Sequence, residues 1–257
     1  MERTTRAPEG LPAAPRVGTA GWSLPRESWP LFPSEGSHLE RYAQVFDCAE
    51  IDTSFYRPHR AATYARWAAS TPAHFRFAVK LPKEITHVRA LRDIEAPLDA
   101  FIDQAGALGP RLGCLLVQLA PSLAFDAETV DDFLTALRLR HAGGVALEPR
   151  HASWFDGAAE AVLIRHRVAR VLADPAVHAQ QADAPGGWPG LVYLRLHGAP
   201  RIYYSEYSPA GLEAWADRLH RTGSDGAERW CVFDNTAAGH AVPNALAFRT
   251  CFGTDPP

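Results

Sequence analysis

Charged side chains end several strand-like segments of this chain, and their types suit acid–base and anion-binding chemistry. Glu148 and Asp234 could act as a general acid or base, while Lys80 and His197 could polarise a substrate or carry a proton. We predict these four residues as the catalytic candidates. The residues predicted to bind the substrate are Trp22, Asp52, Tyr56, His87, Gln118, Arg150, His151, Trp154, Asp174, Arg195, Tyr204 and Asn235.

Lysine is rare in this chain, which makes its two lysines informative. Lys80 and Lys83 are the only lysines among 26 basic residues, and arginine supplies the rest. Lys80 ends a strand-like segment, where it could contact an anionic substrate, form a Schiff base, or pair with Glu50 or Glu148. Lys83 follows a proline in a loop, where either a solvated charge or, with His87, a cationic rim is expected.

The other polar candidates also leave two interpretations open. Arg150 and His151 at a barrel mouth suit anion binding and proton transfer, but His151 and Trp154 could instead pack beneath the next helix. Aromatic residues near strand ends could stack on a sugar or a base, or could simply pack the loops. The ions could also neutralise one another as a network, with members Glu50, Asp52 and Glu148 against Lys80, Arg150 and Arg195.

A metal site is the sharpest alternative that the carboxylates raise. Glu148, Asp174, His197 and Asp234 stand at strand ends, as metal ligands in barrels do. Only one of them is a histidine, and neighbouring arginine and lysine would repel a dication. We therefore predict no cofactor, and a metal is not favoured.

The elements that must position these side chains are eight apolar, strand-like segments separated by helical patterns. An α/β fold is predicted, a single (β/α)8 TIM-barrel-like domain with eight parallel strands over residues 17–252, between a flexible tail at 1–16 and a short tail at 253–257. A doubly wound open sheet is the alternative, but no glycine-rich dinucleotide turn follows the first strand. The predicted strands are 16–22, 48–55, 75–81, 114–120, 144–150, 168–173, 191–198 and 229–235, with 174–190 as a loop.

Strand alternation then assigns the side chains to faces. Glu148 and Arg150 project together, as do Tyr193, Arg195 and His197. Because active sites of such barrels lie where strands end and loops begin, we expect these residues to meet at the C-terminal mouth.

Composition limits the classes of partner. A net charge of −3 with 21% charged residues argues against a general polyanion binder. The N-terminal stretch lacks the apolar run of a signal peptide, and no run is long enough to span a membrane, so we expect a cytoplasmic, bacterial-type protein. The four cysteines show no CxxC spacing, which favours neither a zinc site nor disulfides.

Eight sequence segments together resemble the YecE-like family (domain of unknown function 72). They are GTAGWSLPRESWPLFP, AEIDTSFYRPH, FAVKLPKEITH, LGCLLVQLAP, LEPRHASWF, LRLHG, YSEYS and FDNTAAGHAVPNA. The resemblance implies a TIM-barrel-like fold and no established reaction. Asp52 and Asp234 stand where the family pattern more often has asparagine, which implies a more anionic pocket and less support for phosphate binding.

These observations favour a protein that binds or transforms a small polar, anionic metabolite, phosphorylated or sugar-like, at the barrel mouth. If it is an enzyme, we expect a metal-independent hydrolase, isomerase or lyase. One alternative is a nucleic-acid-binding or repair-type protein, by analogy with endonuclease IV-like barrels, although the acidic charge does not favour it. Another is a non-catalytic ligand-binding protein. The sequence indicates no oligomeric state.

Overall fold

A computed structural model describes residues 14–176 and 184–253 of the chain. Within these ranges one sheet is surrounded by seven α-helices. The strands are β1 (Arg16–Ala20), β2 (Cys48–Ile51), β3 (Arg76–Lys80), β4 (Leu112–Gln118), β5 (Gly144–Glu148), β6 (Ala169–Arg170), β7 (Leu172–Asp174), β8 (Gly186–Gly187), β9 (Leu191–Leu196) and β10 (Glu228–Phe233). The helices are α1 (His38–Ala43), α2 (Ala61–Ala69), α3 (Glu95–Ala105), α4 (Ala127–Arg140), α5 (Gly157–Arg165), α6 (Pro209–His220) and α7 (Ala241–Thr250).

The sheet is shaped like a nearly closed barrel. Its strand order is β7-β9-β10-β1-β2-β3-β4-β5-β6-β8, and the neighbours pair in parallel except for β6 with β8. β6 and β7 stand near opposite ends of this order, yet only Val171 separates them along the chain. The predicted α/β class and barrel shape are therefore confirmed, but the described sheet has ten mixed strands instead of eight parallel ones.

Two local features account for the different strand count. The predicted strand 168–173 is divided at Val171, whose amide donates to the Leu147 carbonyl at 2.9 Å before the chain changes partner from β5 to β9. Gly186–Gly187 adds a short antiparallel strand inside the predicted loop 174–190, of which residues 177–183 lie outside the described part. Most of both predicted tails, residues 1–13 and 254–257, lies outside it too.

Six of the seven α-helices lie between predicted strands and α7 follows the last of them, and side-chain caps explain where α1, α4, α5 and α6 begin. The Ser37 hydroxyl accepts a hydrogen bond from the Glu40 amide at 3.3 Å, and the Glu40 carboxylate accepts one from the Ser37 amide at 2.7 Å. The Asp126 and Ser208 side chains cap α4 and α6 by accepting from the amides of Thr129 and Gly211, without the reciprocal bond seen at α1. None of the helices in the described ranges is long and apolar enough to cross a membrane.

Strand alternation produces two separate apolar layers. Large side chains such as Phe77, Leu115 and Leu147 point outward and pack under the helices. The inward layer consists mostly of small residues, and the rings of Tyr193 and Trp230, which are partners on the neighbouring strands β9 and β10, stack within it with centroids 5.9 Å apart. The inward positions nearest the C-terminal end of the barrel carry polar residues instead, namely Glu50, Lys80, Gln118, Glu148, Arg195 and Asp234.

Candidate functional site

Arg195 is the centre of the polar cluster inside the barrel mouth. It lies on β9 with 1% of its surface exposed. Its Nη2 atom lies 2.7 Å from Glu50 Oε1 and 2.9 Å from Asp234 Oδ2, and its Nη1 lies 3.1 Å from Glu148 Oε2. Tyr193 donates a further hydrogen bond to Glu50 at 2.9 Å. One guanidinium therefore joins carboxylates from three strand ends.

His197 bridges two of these carboxylates. Its Nε2 atom lies 3.0 Å from Glu148 Oε1, and its Nδ1 lies 3.0 Å from Asp234 Oδ2. Burial acts to lower the pKa of His197, but the charge of Glu148 and the hydrogen bonds with both carboxylates outweigh it and raise that pKa. Both ring nitrogens face carboxylate oxygens, which favours the doubly protonated imidazolium, while the Arg150 Nη2 atom, 3.1 Å from Nε2, acts against it.

Glu148 is fully buried and stays ionised because it is surrounded by donors. It accepts from Arg150, Arg195 and His197, and from Gln118 Nε2 at 3.2 Å. Burial would raise the pKa of Glu148, yet Arg150, Arg195 and His197 hold it well below its usual range. Arg195 and His197 likewise lower the pKa of Asp234 against the effect of burial.

These six groups balance one another in charge. The carboxylates of Glu50, Glu148 and Asp234 face two guanidinium groups and one imidazolium. A buried network with paired charges costs little net free energy, whereas removal of one member leaves an uncompensated ion. We define these groups as the ion cluster, consisting of Glu50, Glu148, Arg150, Arg195, His197 and Asp234.

Lys80 lies beside the ion cluster but does not join it. Only 8% of its surface is exposed, and among the described residues no carboxylate oxygen lies within 4.0 Å of its Nζ atom. The nitrogen instead stands 4.2 Å from the centroid of the Phe55 ring. Burial and the charge of Arg195 lower the pKa of Lys80, although Glu50, Glu148 and Asp234 act against them. The predicted ion pair with Glu50 or Glu148 is absent because Arg195 binds both carboxylates.

His87 and Asp52 are the titratable groups next to Lys80. His87 packs edge-on against Phe55, with ring centroids 4.9 Å apart, and its Nδ1 hydrogen bonds with the Thr86 hydroxyl at 2.9 Å. Burial, Lys80 and Lys83 lower the pKa of His87. Burial and the charges of Glu50 and Asp234 raise the pKa of Asp52.

Asp52 also lines a cavity of about 340 Å³ that extends from the end of β1 to the start of α7. Strand β2 ends at Ile51, before Asp52, and residues 53–55 form a short 3-10 helix instead of continuing the predicted strand 48–55. Ser54 in this turn donates to the Lys80 carbonyl at 2.6 Å, which fixes the end of β3.

The loop after β9 covers part of the mouth. Tyr203 has φ of +70°, its amide donates to the His197 carbonyl at 2.6 Å, and its ring lies edge-on to the His197 ring at 5.8 Å. Asn235 holds this loop, since its Nδ2 donates to the Ser205 carbonyl at 2.9 Å and to Asn244 Oδ1 at 2.8 Å. Tyr204 lies outside the site, beneath the Arg201 guanidinium at 3.8 Å.

Five other predicted binding residues do not reach the ion cluster, and their roles stay predictions. Trp22 packs edge-on against Trp67, at a centroid distance of 5.0 Å, in the layer beneath the helices. Buried Trp154 packs in that same layer, while Tyr56 is 81% exposed. His151 hydrogen bonds with Ser153 at 2.9 Å, and Asp174 accepts from Tyr207 at 2.8 Å.

The site contains residues that are absent from the predicted catalytic and binding set. Glu50 was predicted only as a member of the ion network, and Tyr193 only as a residue that shares a face with Arg195 and His197. Phe55 and Tyr203 lie in turns, where no periodicity indicates direction. In the adjacent pair Tyr203 and Tyr204, nothing in the sequence distinguishes the ring that contacts His197.

Metal-ligand chemistry was the alternative for four of these residues. Within residues 14–176 and 184–253, no group of three or more His, Cys, Asp or Glu side chains is arranged to hold a metal ion. Glu148, His197 and Asp234 contact one another and the arginines, while Asp174 bonds to Tyr207. The cysteines Cys48, Cys114 and Cys231 are buried and free.

Comparisons with known proteins agree with the fold. The model of a family described as protein of unknown function DUF72 matches residues 16–256. The protein YecE of Escherichia coli K12 is 35% identical over 37% of this chain, and that match covers 36% of YecE. YunF of Bacillus subtilis is 24% identical over 89% of this chain and 91% of its own length.

Two solved structures from the same family superpose on this barrel. A DUF72 family protein from Enterococcus faecalis gives a TM-score of 0.76 at 21% identity, covering 93% of this chain and 96% of that one. A DUF72 family protein from Thermotoga maritima gives 0.75 at 25% identity, covering 94% and 100%. Their names state no ligand and no reaction.

Proposed function

Since the chain belongs to the DUF72 family, whose description assigns no reaction, we propose its function from the chemistry of the barrel mouth. The chain binds a small polar, anionic metabolite there, phosphorylated or sugar-like, and transforms it without a metal. The ion cluster forms the floor of this site, and Lys80 faces the ligand.

The observation that carries this proposal is the unpaired ammonium of Lys80. Removing most of the solvent from an ammonium without supplying a counter-ion is unfavourable, so a lysine with little exposed surface normally has a carboxylate partner. Lys80 has 8% exposure and no carboxylate within 4.0 Å among the described residues, because Arg195 engages Glu50 and Glu148. An anionic ligand would supply the missing partner.

Other groups at the mouth suit the remainder of such a ligand. Arg150 has a buried Nε atom without a hydrogen-bond partner, and this donor could hold a phosphate or carboxylate oxygen. The Tyr203 ring, with 43% of its residue exposed, offers a surface for a sugar ring. Asp52, whose pKa burial raises, could donate a hydrogen bond to a hydroxyl while protonated.

Proton transfer would use two histidines whose pKa values are shifted in opposite directions. His197 carries a raised pKa between two ionised carboxylates, which makes it a proton donor. His87 has a lowered pKa and therefore acts as a neutral base. An acid and a base at one mouth fit an isomerase, a lyase or a hydrolase.

Thermal-shift screening tests the proposal with three classes of compound: sugar phosphates, nucleotides and small carboxylates. Wild-type protein should gain several degrees in melting temperature with at least one class, because ligand bound only to the folded state stabilises it. Lys80→Gln should lose this gain. Lys83→Gln is the matched control, since it removes the only other lysine, and should retain the gain. Stabilisation that survives in Lys80→Gln would contradict the proposal.

Two alternatives are separated by extending the same screen. Single-stranded DNA binding that weakens steeply with added salt would favour a nucleic-acid-binding protein, because phosphate contacts release counter-ions. Stabilisation by a metabolite that remains chemically unchanged after long incubation would favour a non-catalytic ligand-binding protein.

A further inference from the structure

The surroundings of Lys80 favour a reactive, neutral amine over a permanently charged ammonium. A lysine that serves only as a cation is best kept ionised by a carboxylate, and Lys80 has none within 4.0 Å among the described residues. Burial and the neighbouring guanidinium of Arg195 both lower its pKa. Desolvation and an adjacent cation are the two conditions that activate lysine as a nucleophile.

We propose that Lys80 captures the carbonyl carbon of a small anionic aldehyde or ketone and holds it as an imine. This inference rests on the proposed function, because it names the substrate class of the same site.

The step balances without an oxidant, a reductant or a metal. The ammonium of Lys80 first loses a proton, and the nitrogen lone pair then attacks the carbonyl carbon while the C=O π electrons move to oxygen. A proton passes from nitrogen to that oxygen and gives a carbinolamine. The hydroxyl then leaves as water with the first proton, and the lone pair forms the C=N bond. The net change is ammonium plus carbonyl giving protonated imine plus water.

His87 is placed to carry the proton in this sequence. Its ring and the Nζ atom of Lys80 both contact Phe55, at centroid distances of 4.9 Å and 4.2 Å. Thr86 engages Nδ1, while Nε2 has no hydrogen-bond partner within the described ranges. No hydrogen bond joins Nε2 to the Nζ atom of Lys80, so we assign Nε2 as the atom that takes the ammonium proton through one water molecule and returns it to the departing hydroxyl.

Phe55 supports the charge before and after the reaction. An aromatic face attracts a cation, and the ammonium and the protonated imine are both cations on the same nitrogen. The Lys80 nitrogen can therefore keep Phe55 as its partner throughout imine formation. The unpartnered Nε of Arg150 is available for the anionic group of the substrate.

Reductive trapping tests the inference with two probes, pyruvate and pyridoxal 5′-phosphate. The full-length protein is incubated with each probe and sodium borohydride, and the labelled peptides are then quantified by mass spectrometry. An amine whose pKa is lowered has a larger unprotonated fraction at neutral pH. We expect several-fold more label on Lys80 than on Lys83 with at least one probe.

The chain supplies its own control, because Lys80 and Lys83 are its only lysines. Wild-type mapping compares the two amines within one folded molecule, so the result does not depend on how a variant folds. Lys83→Arg should keep the label at Lys80. Equal or lower labelling of Lys80 with both probes overturns the inference. If metabolites still stabilise wild type but not Lys80→Gln, that failure leaves the proposed function intact, with Lys80 acting only as a charge.

Discussion

At the scale of single residues, the roles of Arg195 and Lys80 in the site depend on which carboxylates each side chain contacts. Arg195 reaches three carboxylates from the interior of β9, and its fork geometry leaves Glu50 and Glu148 saturated. Lys80 is left with an aromatic ring in place of an anion. The two cations differ in function because guanidinium can bind several oxygens at once, while the ammonium beside it remains available.

The charge of His197 gives a prediction on pH. Its folded-state pKa is raised above the ordinary value of 6.5, so the folded protein binds more protons than the unfolded chain in the interval between the two values. The stability that His197 contributes is then fully present below pH 6.5 and is lost as pH rises through the folded-state pKa. Urea unfolding of wild type and His197→Gln should show a free-energy difference that shrinks as pH rises above this point.

The matched control is His38→Gln, which removes an exposed histidine on α1. Comparing both variants separates the loss of any histidine from the loss of the one between Glu148 and Asp234. A difference between wild type and His197→Gln that stays constant with pH would mean that His197 is neutral in the folded protein.

At the scale of elements, the loop after β9 is tied to α7 by the only two asparagines of the chain. Asn244 Oδ1 accepts from the Tyr207 amide at 3.0 Å and from Asn235 at 2.8 Å, and Asn244 Nδ2 donates to the Tyr207 carbonyl at 3.2 Å. This tie positions Tyr203 against His197. The loop therefore takes its shape from α7 as much as from its own sequence.

Removing this tie should release the loop. Asn244→Ala leaves the Tyr207 amide and carbonyl without partners, which costs about 1–3 kcal/mol for buried groups. Hydrogen exchange of the Tyr207 and Ala237 amides should accelerate, because Ala237 donates to the Tyr203 carbonyl within the same loop. Gln44→Ala removes an exposed side-chain amide at the C-terminal cap of α1 and should leave the Tyr207 and Ala237 backbone amides protected. Unchanged hydrogen exchange in Asn244→Ala would show that the loop after β9 keeps its conformation without the Asn244 hydrogen bonds.

At the scale of the whole molecule, the barrel depends on close approach between β1 and β2. Gly18 pairs with Cys48, and a Cβ at Gly18 would overlap the Cys48 carbonyl oxygen and crowd the Tyr42 hydroxyl at 2.9 Å. Glu50 follows on β2, so any shift of these strands moves a member of the ion cluster.

Gly18→Ala should therefore destabilise the protein by about 1–3 kcal/mol or more, as overpacking does. Gly106→Ala is the matched control, since its φ is −58° and no heavy atom lies within 4 Å of the added Cβ. That variant should be neutral or more stable by about 0.4–1 kcal/mol. Equal effects of the two substitutions on urea unfolding would contradict the close approach at Gly18.

The sequence predicted the features that depend on periodicity. Alternation placed Glu148 with Arg150 and Arg195 with His197 on shared faces, and helical patterns between the predicted strands indicated the α-helices. Periodicity could not predict the structure of segments that lie outside regular helices and strands. The partner change at Val171 is a non-local hydrogen-bonding choice, and His151 turns to Ser153 because the strand has already ended. Which oxygens Arg195 would engage also depended on distances between strands that are remote in sequence.

The stacked rings of Tyr193 and Trp230 give the interior a closed end. Both residues are fully buried, and small side chains from the other strands fill the space around them. A ligand that entered from the C-terminal mouth would therefore meet closely packed side chains at the level of these rings. Under the proposed function, a substrate would enter and its product would leave through the same opening, and the two would compete for it.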